Sequence, residues 1–454
     1  MKRINLTEGG IIRNIIMFSL PYTLSYFLQL LYGLTDLFVI GRYCDVDSTT
    51  AVSNGAQVMY MFTVVIIGLA MGTTVRIARA VGSGNNRRIA FIIGNTVTLF
   101  AIAAVILTII LLCLRHNIVT WIDTPTEAVS GTLDYLTVCF LGIPFIVAYN
   151  VISSIFRGMG DSRSPMYFVA IACVVNITLN FLFIGHFGLG PMGSALATTL
   201  SQMISVIIAI ITIRRHRSVL GVSRSDLKIK RGIVSDILKI GIPVAMQDGF
   251  IQVAFIVITV IANGRGLNDA AAVGIVEKVI GLLFIIPSAM LSTVSAISAQ
   301  NIGAGKIERA KRTLRYAVYV CVGFGTISAI TFQFCPELAV GIFTNNTDAI
   351  SLGAEYLQSY VWDCILAGVH FCYSGFFTAM GYSLISFGHN FISIVCARIP
   401  LSFLASEYYP HSLYPMGLAC PTGSLVSVLI CLFVYYWMSK NNKLNMSSTS
   451  CSYL

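Results

Sequence analysis

Twelve long runs of mainly apolar residues divide the 454-residue chain, and they restrict its fold more than any other feature. Hydrophobic residues make up 56% of the chain and charged residues only 11%. A bilayer core is about 30 Å thick, so a helix needs about 20 apolar residues to cross it. Transmembrane strands would alternate apolar and polar residues, and these runs do not. The sequence therefore predicts an all-α polytopic membrane protein with spans at residues 11–40, 51–75, 89–114, 131–155, 165–186, 193–213, 233–262, 270–299, 315–335, 351–378, 387–406 and 413–438.

The basic residues lie almost entirely in every second connection between spans. Of the 29 lysines and arginines, 24 fall on the side that carries both termini and three fall on the other side. Basic loops stay in the cytoplasm, so this distribution predicts a plasma-membrane protein with both termini cytoplasmic. The net charge of +10 is therefore explained by topology, and we expect no nucleic-acid partner.

Motifs for enzymatic or redox chemistry are missing from the sequence. No two of the twelve cysteines have C-x-x-C spacing, and no phosphate-binding loop or metalloprotease motif occurs. We expect no cofactor and no enzymatic activity.

The two halves of the chain repeat each other. Pro21 corresponds to Pro243 at an offset of 222 residues, and Gly82, Thr126 and Gly158 begin short motifs that recur at an offset of 221. Six spans separate equivalent points, so the repeats run in the same direction, about an axis along the membrane normal. We predict a first lobe at 1–213, a basic cytoplasmic linker at 214–232, a second lobe at 233–438 and a cytoplasmic tail at 439–454.

Polar residues inside the first-half spans mark a candidate site. Asp36 shares one stripe of its helix with Ser25, Gln29 and Tyr32, which is typical of a face turned away from lipid. A carboxylate at this depth could exchange a proton or hold a sodium ion. The alternative is that Asp36 pairs with Arg42 and only anchors the helix.

One further pair of polar residues lies in the fifth span. Asn176 and Asn180 share a face by i, i+4 spacing. Their amide oxygens could coordinate a cation, but polar side chains commonly link membrane helices, and the spacing alone favours that packing role.

A second group of polar residues lies in the spans of the second half. Asp248 and Gln252 share a side of span 7, and Asp363, Tyr360 and His370 share a side of span 10. These positions predict a second polar cavity. In span 8, Glu277 and Lys278 are adjacent and point about 100° apart on a helix, so one of them could instead pair with Asp248 or Asp363. A lone interior histidine such as His370 is more often hydrogen bonded than a proton carrier.

These features resemble the multidrug and toxic compound extrusion (MATE) family, in particular its DinF-like and MepA-like branches. The resemblance covers almost the whole chain and depends most on the stretch from Gln300 to Gly305, Gln-Asn-Ile-Gly-Ala-Gly. It also includes Ser-Leu-Pro at 19–21, Arg-Gly-Met-Gly-Asp at 157–161 and Pro-Met-Gly-Ser-Ala-Leu-Ala-Thr at 191–198.

The resemblance implies a cation-driven exporter in which two six-helix lobes rock about a central cavity. Its first-lobe cation site would match Asp36, Asn176, Asn180 and Thr198, which would bind a proton or a sodium ion. Asn180 stands where the family site has an aspartate. A second-lobe cation or substrate site would involve Asp248, Gln252, Glu277 and Asp363. We expect Gln29, Tyr32, Tyr360 and His370 to line the substrate cavity and Pro21 to act as a hinge.

We therefore expect an antiporter, working as a monomer in the lipid bilayer, that exchanges protons or sodium ions for small organic cations or amphipathic drugs. The main alternative is a lipid-linked oligosaccharide flippase of the same superfamily. Such flippases often have fourteen spans and more basic cavities. A channel or receptor fits the two-lobe repeat less well.

Overall fold

The computed structural model of the chain describes residues 5–215 and 223–446, and these residues form helices and no strand. In the first half the helices are α1 (Ile11–Tyr43), α2 (Val46–Gly82), α3 (Asn86–Trp121), α4 (Val129–Gly158), α5 (Arg163–Asn180) and α6 (Gly190–Arg215). In the second half they are α7 (Arg231–Asn263), α8 (Leu267–Leu283), α9 (Ile285–Gly303), α10 (Ile307–Phe334), α11 (Pro336–Gly341), α12 (Thr347–Tyr360), α13 (Asp363–Met380), α14 (Ser383–Ser393), α15 (Ile399–Tyr408), α16 (Tyr414–Lys440) and α17 (Lys443–Met446). Two π-helical turns, Phe181–His186 and Ile394–Arg398, follow α5 and α14.

Eleven helical segments of the described residues are long and apolar enough to cross a membrane, and they coincide with eleven of the predicted spans. The predicted span at 351–378 differs, because it is divided into α12 and α13 at Val361 and Trp362. The break places Asp363 in the first turn of a new helix, where the helix dipole favours a negative charge. Residues 216–222 of the predicted linker and 447–454 of the predicted tail lie outside the described residues.

The chain packs into two compact units whose limits differ from the predicted lobes. Among the described residues, the first unit includes 20–215 and 223–241, and the second includes 5–19 and 242–446. Both divisions therefore fall inside a helix, just before Pro21 in α1 and just before Pro243 in α7. A proline removes one backbone hydrogen bond and allows a helix to bend, which explains why each helix changes unit at that position.

The N-terminal part of α7 is held firmly within the first unit. Arg76 of α2 forms an ion pair with Asp236 of α7. A side chain at Gly72 would collide with the carbonyl of Ile237, so this close approach of α2 to α7 requires glycine.

Residues 5–19 are held in the second unit by the motif that contains Gln300–Gly305. Asn301 donates a hydrogen bond to the Leu6 carbonyl over 3.3 Å. Lys306 donates to the Thr7 carbonyl over 3.1 Å, and Arg309 donates to the Glu8 carbonyl over 2.8 Å. This most specific sequence motif therefore binds the segment that precedes α1.

The described part of the linker docks on α3 of the first unit. The Asn95 side chain accepts a hydrogen bond from the Lys230 backbone over 2.6 Å. Asp226 accepts hydrogen bonds from Ser223 and lies 3.4 Å from the Arg87 guanidinium. The bond from the Ser223 backbone N–H is the main reason why the pKa of Asp226 lies below its usual range, which keeps this carboxylate charged.

Because α12 packs closely against α16, the addition of a single methyl group at Gly417 should destabilise the protein. A Cβ at Gly417 would lie 1.9 Å from the Ser359 hydroxyl and 2.8 Å from the Tyr356 carbonyl. We expect Gly417→Ala to lower the free energy of unfolding by about 1–3 kcal/mol, because the helices must separate. The measurement is reversible unfolding by sodium dodecyl sulfate in mixed micelles.

The matched control is Gly281→Ala, since a Cβ at this helical position would have nothing within 4 Å. Equal stability changes in the two variants would contradict the packing of α12 on α16.

Candidate functional site

Asp36, Asn176, Asn180 and Thr198 converge within the first unit. The Asn180 side-chain amide donates to one Asp36 oxygen over 2.5 Å, and the Thr198 hydroxyl donates to the other over 3.0 Å. Asn176 donates to the Thr198 hydroxyl over 3.2 Å. The structure therefore brings together the four residues that the resemblance implied, from α1, α5 and α6.

The local sequence explains how α5 presents its two amides. Asn176 and Asn180 are one turn apart, and the Asn180 side chain also donates to the Asn176 carbonyl and to its side-chain oxygen. The π-helical turn Phe181–His186 begins directly after Asn180. Such turns widen a helix locally and occur frequently at functional sites.

Asp36 is buried and has no basic partner. It is 5% exposed, and both asparagines are fully buried. None of the ion pairs among the described residues involves Asp36. Arg42 is exposed, so the alternative in which Asp36 pairs with Arg42 is not the arrangement found. A buried carboxylate is stabilised here only by hydrogen bonds, which makes its charge costly and sensitive to a bound cation.

The stripe of α1 that carries Asp36 faces two residues that the sequence analysis missed. Tyr32 lies within hydrogen-bonding reach of Gln202 in α6. Gln29 lies within hydrogen-bonding reach of Tyr149 in α4. Gln202 follows Thr198 by one helical turn, and this i, i+4 spacing could have identified it.

In the second unit, Glu277 and Asp363 both interact electrostatically with Arg398, although neither forms an ion pair with it among the described residues. Glu277 accepts a hydrogen bond from Thr259 over 3.1 Å and is stabilised by the charge of Arg398. Asp363 is fully buried and also lies beside Arg398. Arg398 lies inside the predicted span at 387–406 and was not assigned to a site from the sequence. The energetic cost of placing a charged arginine at membrane depth was the signal that could have identified Arg398 as a site residue.

Asp248 and Gln252 do not join this group. Both are half-exposed on α7, and Asp248 has no hydrogen-bond or ion-pair partner among the described residues. Lys278 is exposed and points away from Glu277, as the helical geometry predicted. Of the predicted second-lobe set, Asp363 is buried, whereas Asp248, Gln252 and Glu277 are half-buried.

Tyr360 and His370 were expected to line a cavity, but both are buried within the second unit. The Tyr360 hydroxyl accepts a hydrogen bond from Arg398, and His370 lies 3.4 Å from the Ser424 hydroxyl. Their exposed fractions are 0% and 5%. Gln29 and Tyr32, in contrast, are half-buried.

Known proteins resemble the chain in sequence and in fold. The family model described as MatE matches residues 21–182 and 243–404, in agreement with the repeat. The probable multidrug resistance protein YoeA of Bacillus subtilis is 25% identical over 96% of each chain. The multidrug export protein MepA of Staphylococcus saprophyticus is 23% identical over 82% of this chain and 83% of its own.

A crystal structure of MATE in complex with MaL6 has a TM-score of 0.91 and 21% identity, over 98% of this chain and 100% of that one. These matches confirm the predicted family and the all-α fold with twelve transmembrane helices in two lobes.

The hydrogen bond from Thr198 to Asp36 predicts a stability change that is independent of transport. Thr198→Val leaves a buried carboxylate oxygen without its donor, which should lower the free energy of unfolding by about 1–3 kcal/mol. The loss should shrink when Asp36 is already replaced by asparagine, because the charge that needs the donor is then missing. Unfolding in mixed micelles measures all four members of this cycle.

Thr212→Val is the control, since the Thr212 hydroxyl bonds only to the Ile208 carbonyl of its own helix. If Thr198→Val lowers the free energy of unfolding equally in the wild type and in Asp36→Asn, the side chains of residues 36 and 198 are not coupled.

Proposed function

The chain belongs to the MatE family of multidrug transporters, and we propose that it exports organic cations or amphipathic drugs in exchange for a proton or a sodium ion. The family consists of transporters, which confirms the prediction that the chain is not an enzyme. The observation that carries the proposal is the buried Asp36, whose carboxylate has amide and hydroxyl donors but, in the part of the chain that the structure describes, no basic partner.

Coupling requires that the cation stabilise one conformation more than another. A ligand shifts an equilibrium only by the difference between its affinities for the two states. An ionised Asp36 needs the full donor shell of Asn180 and Thr198, whereas a protonated or cation-bound Asp36 no longer carries an uncompensated charge. Cation binding would therefore release the contacts between α1 and the pair α5 and α6, and rocker-switch alternating access would follow from this change.

The donor arrangement favours the proton over the sodium ion. Both Asp36 oxygens accept hydrogen bonds from N–H or O–H groups, and a metal ion would have to replace these donors. The Asn180 amide nitrogen is the donor to Asp36, while its side-chain oxygen has no hydrogen-bond partner among the described residues. A sodium ion held by the Asp36, Asn176, Asn180 and Thr198 oxygens would require the Asn180 amide to turn over, whereas a proton requires no such rearrangement.

Pro21 is a suitable hinge for α1. The helix continues through this residue, whose missing N–H leaves the Met17 carbonyl without its helical donor, and the Ser25 hydroxyl donates to the Pro21 carbonyl over 2.8 Å. The two compact units divide the helix one residue earlier. A bend at Pro21 would move the half of α1 that carries Asp36 relative to the half that precedes it.

Asp248 and Gln252 remain our candidates for a contact with substrate in the second lobe. Asp248 is a half-buried acid without a hydrogen-bond or ion-pair partner among the described residues, so an organic cation would supply its missing counter-charge. We assign Glu277 and Asp363 a different role, because the charge of Arg398 already acts on both of them.

Replacement of the Asp36 carboxylate should uncouple transport. We expect Asp36→Asn to reduce ethidium efflux from proteoliposomes by about tenfold or more under an imposed pH gradient, because the amide cannot bind the coupling proton. Protein content in the vesicles is measured alongside efflux.

Asp134→Asn is the control, since Asp134 is an exposed acid on α4 of the same unit. Efflux by Asp36→Asn at the wild-type rate, with equal protein in the vesicles, would exclude the coupling role.

The preference for protons predicts a difference between two imposed gradients. We expect a pH gradient alone to drive ethidium efflux and a sodium gradient alone, at equal pH on both sides, to give only background efflux. Efflux driven equally well by sodium would show that the Asn180 amide turns over and that the four oxygens hold the metal ion.

A further inference from the structure

Residues 223–231, which we call the linker segment, lie along α3 in the first unit. The Asn95 side chain accepts a hydrogen bond from the Lys230 backbone over 2.6 Å and donates one to the Asp226 carbonyl over 3.4 Å. A Cβ at Gly94 would lie 2.3 Å from the Asp226 carbonyl oxygen, so the two backbones touch at this glycine. The linker segment is therefore fixed to α3 by its backbone, which leaves its side chains free for other contacts.

The docking point lies within the apolar part of α3. The Leu227 carbonyl accepts a hydrogen bond from the Thr98 hydroxyl over 2.8 Å. Thr98 lies nine residues after the start of the predicted span at 89–114, which is about 14 Å of helix. Near it, α3 exposes apolar residues such as Val97 and Ile102. On the predicted topology, the linker segment therefore lies at the level where lipid head groups meet acyl chains.

The exposed side chains of the linker segment alternate between apolar and basic residues. Leu227 and Ile229 are 40% and 51% exposed. Lys228 and Lys230 alternate with them and are also exposed, and Arg231 follows. A segment at the bilayer interface can place such apolar side chains among acyl chains and such basic side chains among head groups. The pattern therefore fits contact with lipid better than contact with water alone.

Positive charge is concentrated on this surface around a single acid. The Lys230 ammonium lies 3.3 Å and the Arg87 guanidinium 4.4 Å from the centroid of the Phe91 ring, so the two cations are held close together. Asp226 is the only acid of the linker segment, and it lies 3.4 Å from the Arg87 guanidinium. One carboxylate cannot balance all the basic residues of the linker segment and the first turn of α3, so a bound anion would stabilise them. These basic residues are Arg87, Arg88, Arg224, Lys228, Lys230 and Arg231.

The internal repeat provides a comparison for the linker segment. At the offset of 221, residues 227–230 correspond to residues 6–9, whose backbone docks on the second unit. Leu6 is fully buried, whereas the corresponding Leu227 is exposed. The three residues after Leu6 are Thr-Glu-Gly, and the three after Leu227 are Lys-Ile-Lys. Docking of the backbone therefore does not require basic or exposed apolar side chains, and those of the linker segment need a different explanation.

A ligand that fits these features has an anionic head and an apolar tail. Guanidinium and ammonium groups bind phosphate oxygens through charge-assisted hydrogen bonds. A soluble phosphate ester would leave Leu227 and Ile229 uncovered. A zwitterionic lipid has a positive group of its own, which the six basic residues would repel.

We propose that the linker segment, with Arg87 and Arg88, binds an anionic phospholipid of the surrounding leaflet. The phosphate is held by the basic side chains, and an acyl chain packs on Leu227 and Ile229. Binding is non-covalent and takes place away from the Asp36 site. It does not depend on the proposed exchange of a cation for a drug.

The test uses brominated lipids, because bromine in an acyl chain quenches the fluorescence of a tryptophan that it contacts. Purified full-length Ile229→Trp is placed in equimolar vesicles of phosphatidylglycerol and phosphatidylcholine, in which only one of the two lipids is brominated. The signal of the three native tryptophans is subtracted with the same protein that retains Ile229. We expect quenching that corresponds to an enrichment of phosphatidylglycerol by about fivefold or more, the effect of one well-placed cation.

Lys228→Gln together with Lys230→Gln should remove this enrichment. The matched control is Lys440→Gln together with Lys443→Gln, which should keep it. These two residues also lie on the predicted cytoplasmic side, and the Lys443 ammonium also lies over an aromatic ring, 4.0 Å from the centroid of Trp437. Lys228→Gln alone should lower the enrichment. This variant protects the test against misplacement of the linker segment, because the Lys228 side chain forms no hydrogen bond or ion pair among the described residues.

Equal quenching by the two lipids in Ile229→Trp would overturn the proposal, as would full enrichment in Lys228→Gln or in the double variant with Lys230→Gln. Equal loss in the control would also overturn it, since the enrichment would then reflect general surface charge. Displacement of the brominated phosphatidylglycerol by millimolar glycerol 3-phosphate would identify a soluble phosphate ester as the ligand and contradict the lipid. None of these measurements requires transport, so the role of Asp36 is decided separately by the efflux measurements.

Discussion

The proposed exchange of a cation for a drug depends on one energetically costly arrangement. This is the Asp36 carboxylate, which is buried in a helix bundle without a basic partner among the described residues. Asp36 is held by donors from Asn180 and Thr198, and nothing among the described residues cancels its charge by an ion pair. A buried ion pair would be inert, because its charge is already matched. An unmatched carboxylate changes its interactions strongly when a cation binds, and this sensitivity is what a transporter requires.

The two repeats share their helices but distribute charge differently. In the first, one acid faces amides and hydroxyls. In the second, Glu277 and Asp363 face Arg398, which lies one residue beyond the position that corresponds to Asn176 at the repeat offset of 221. In the second repeat, the guanidinium of Arg398 supplies a permanent positive charge, so no bound cation is needed to supply one there. This difference explains why we assign exchange with the substrate to Asp36.

Much of the fold could be predicted from sequence, because membrane helices are defined by long apolar runs. The break at Val361 and Trp362 could not, since both residues are apolar and continue the hydrophobic pattern. The cluster around Asp36 was predictable because the resemblance named its members. The contacts of His389 with Ser374 and Ser427 could not be predicted, because they join residues of α13, α14 and α16 that are far apart in sequence.

The most direct test of the central claim is a count of protons released when substrate binds. Purified protein in detergent is mixed with ethidium in weak buffer, and a pH-indicator dye reports the release while fluorescence anisotropy reports binding. The account predicts release of about one proton per bound ethidium by the wild type, and about one fewer by Asp36→Asn. Equal release by the two proteins, with ethidium bound to both, would contradict it.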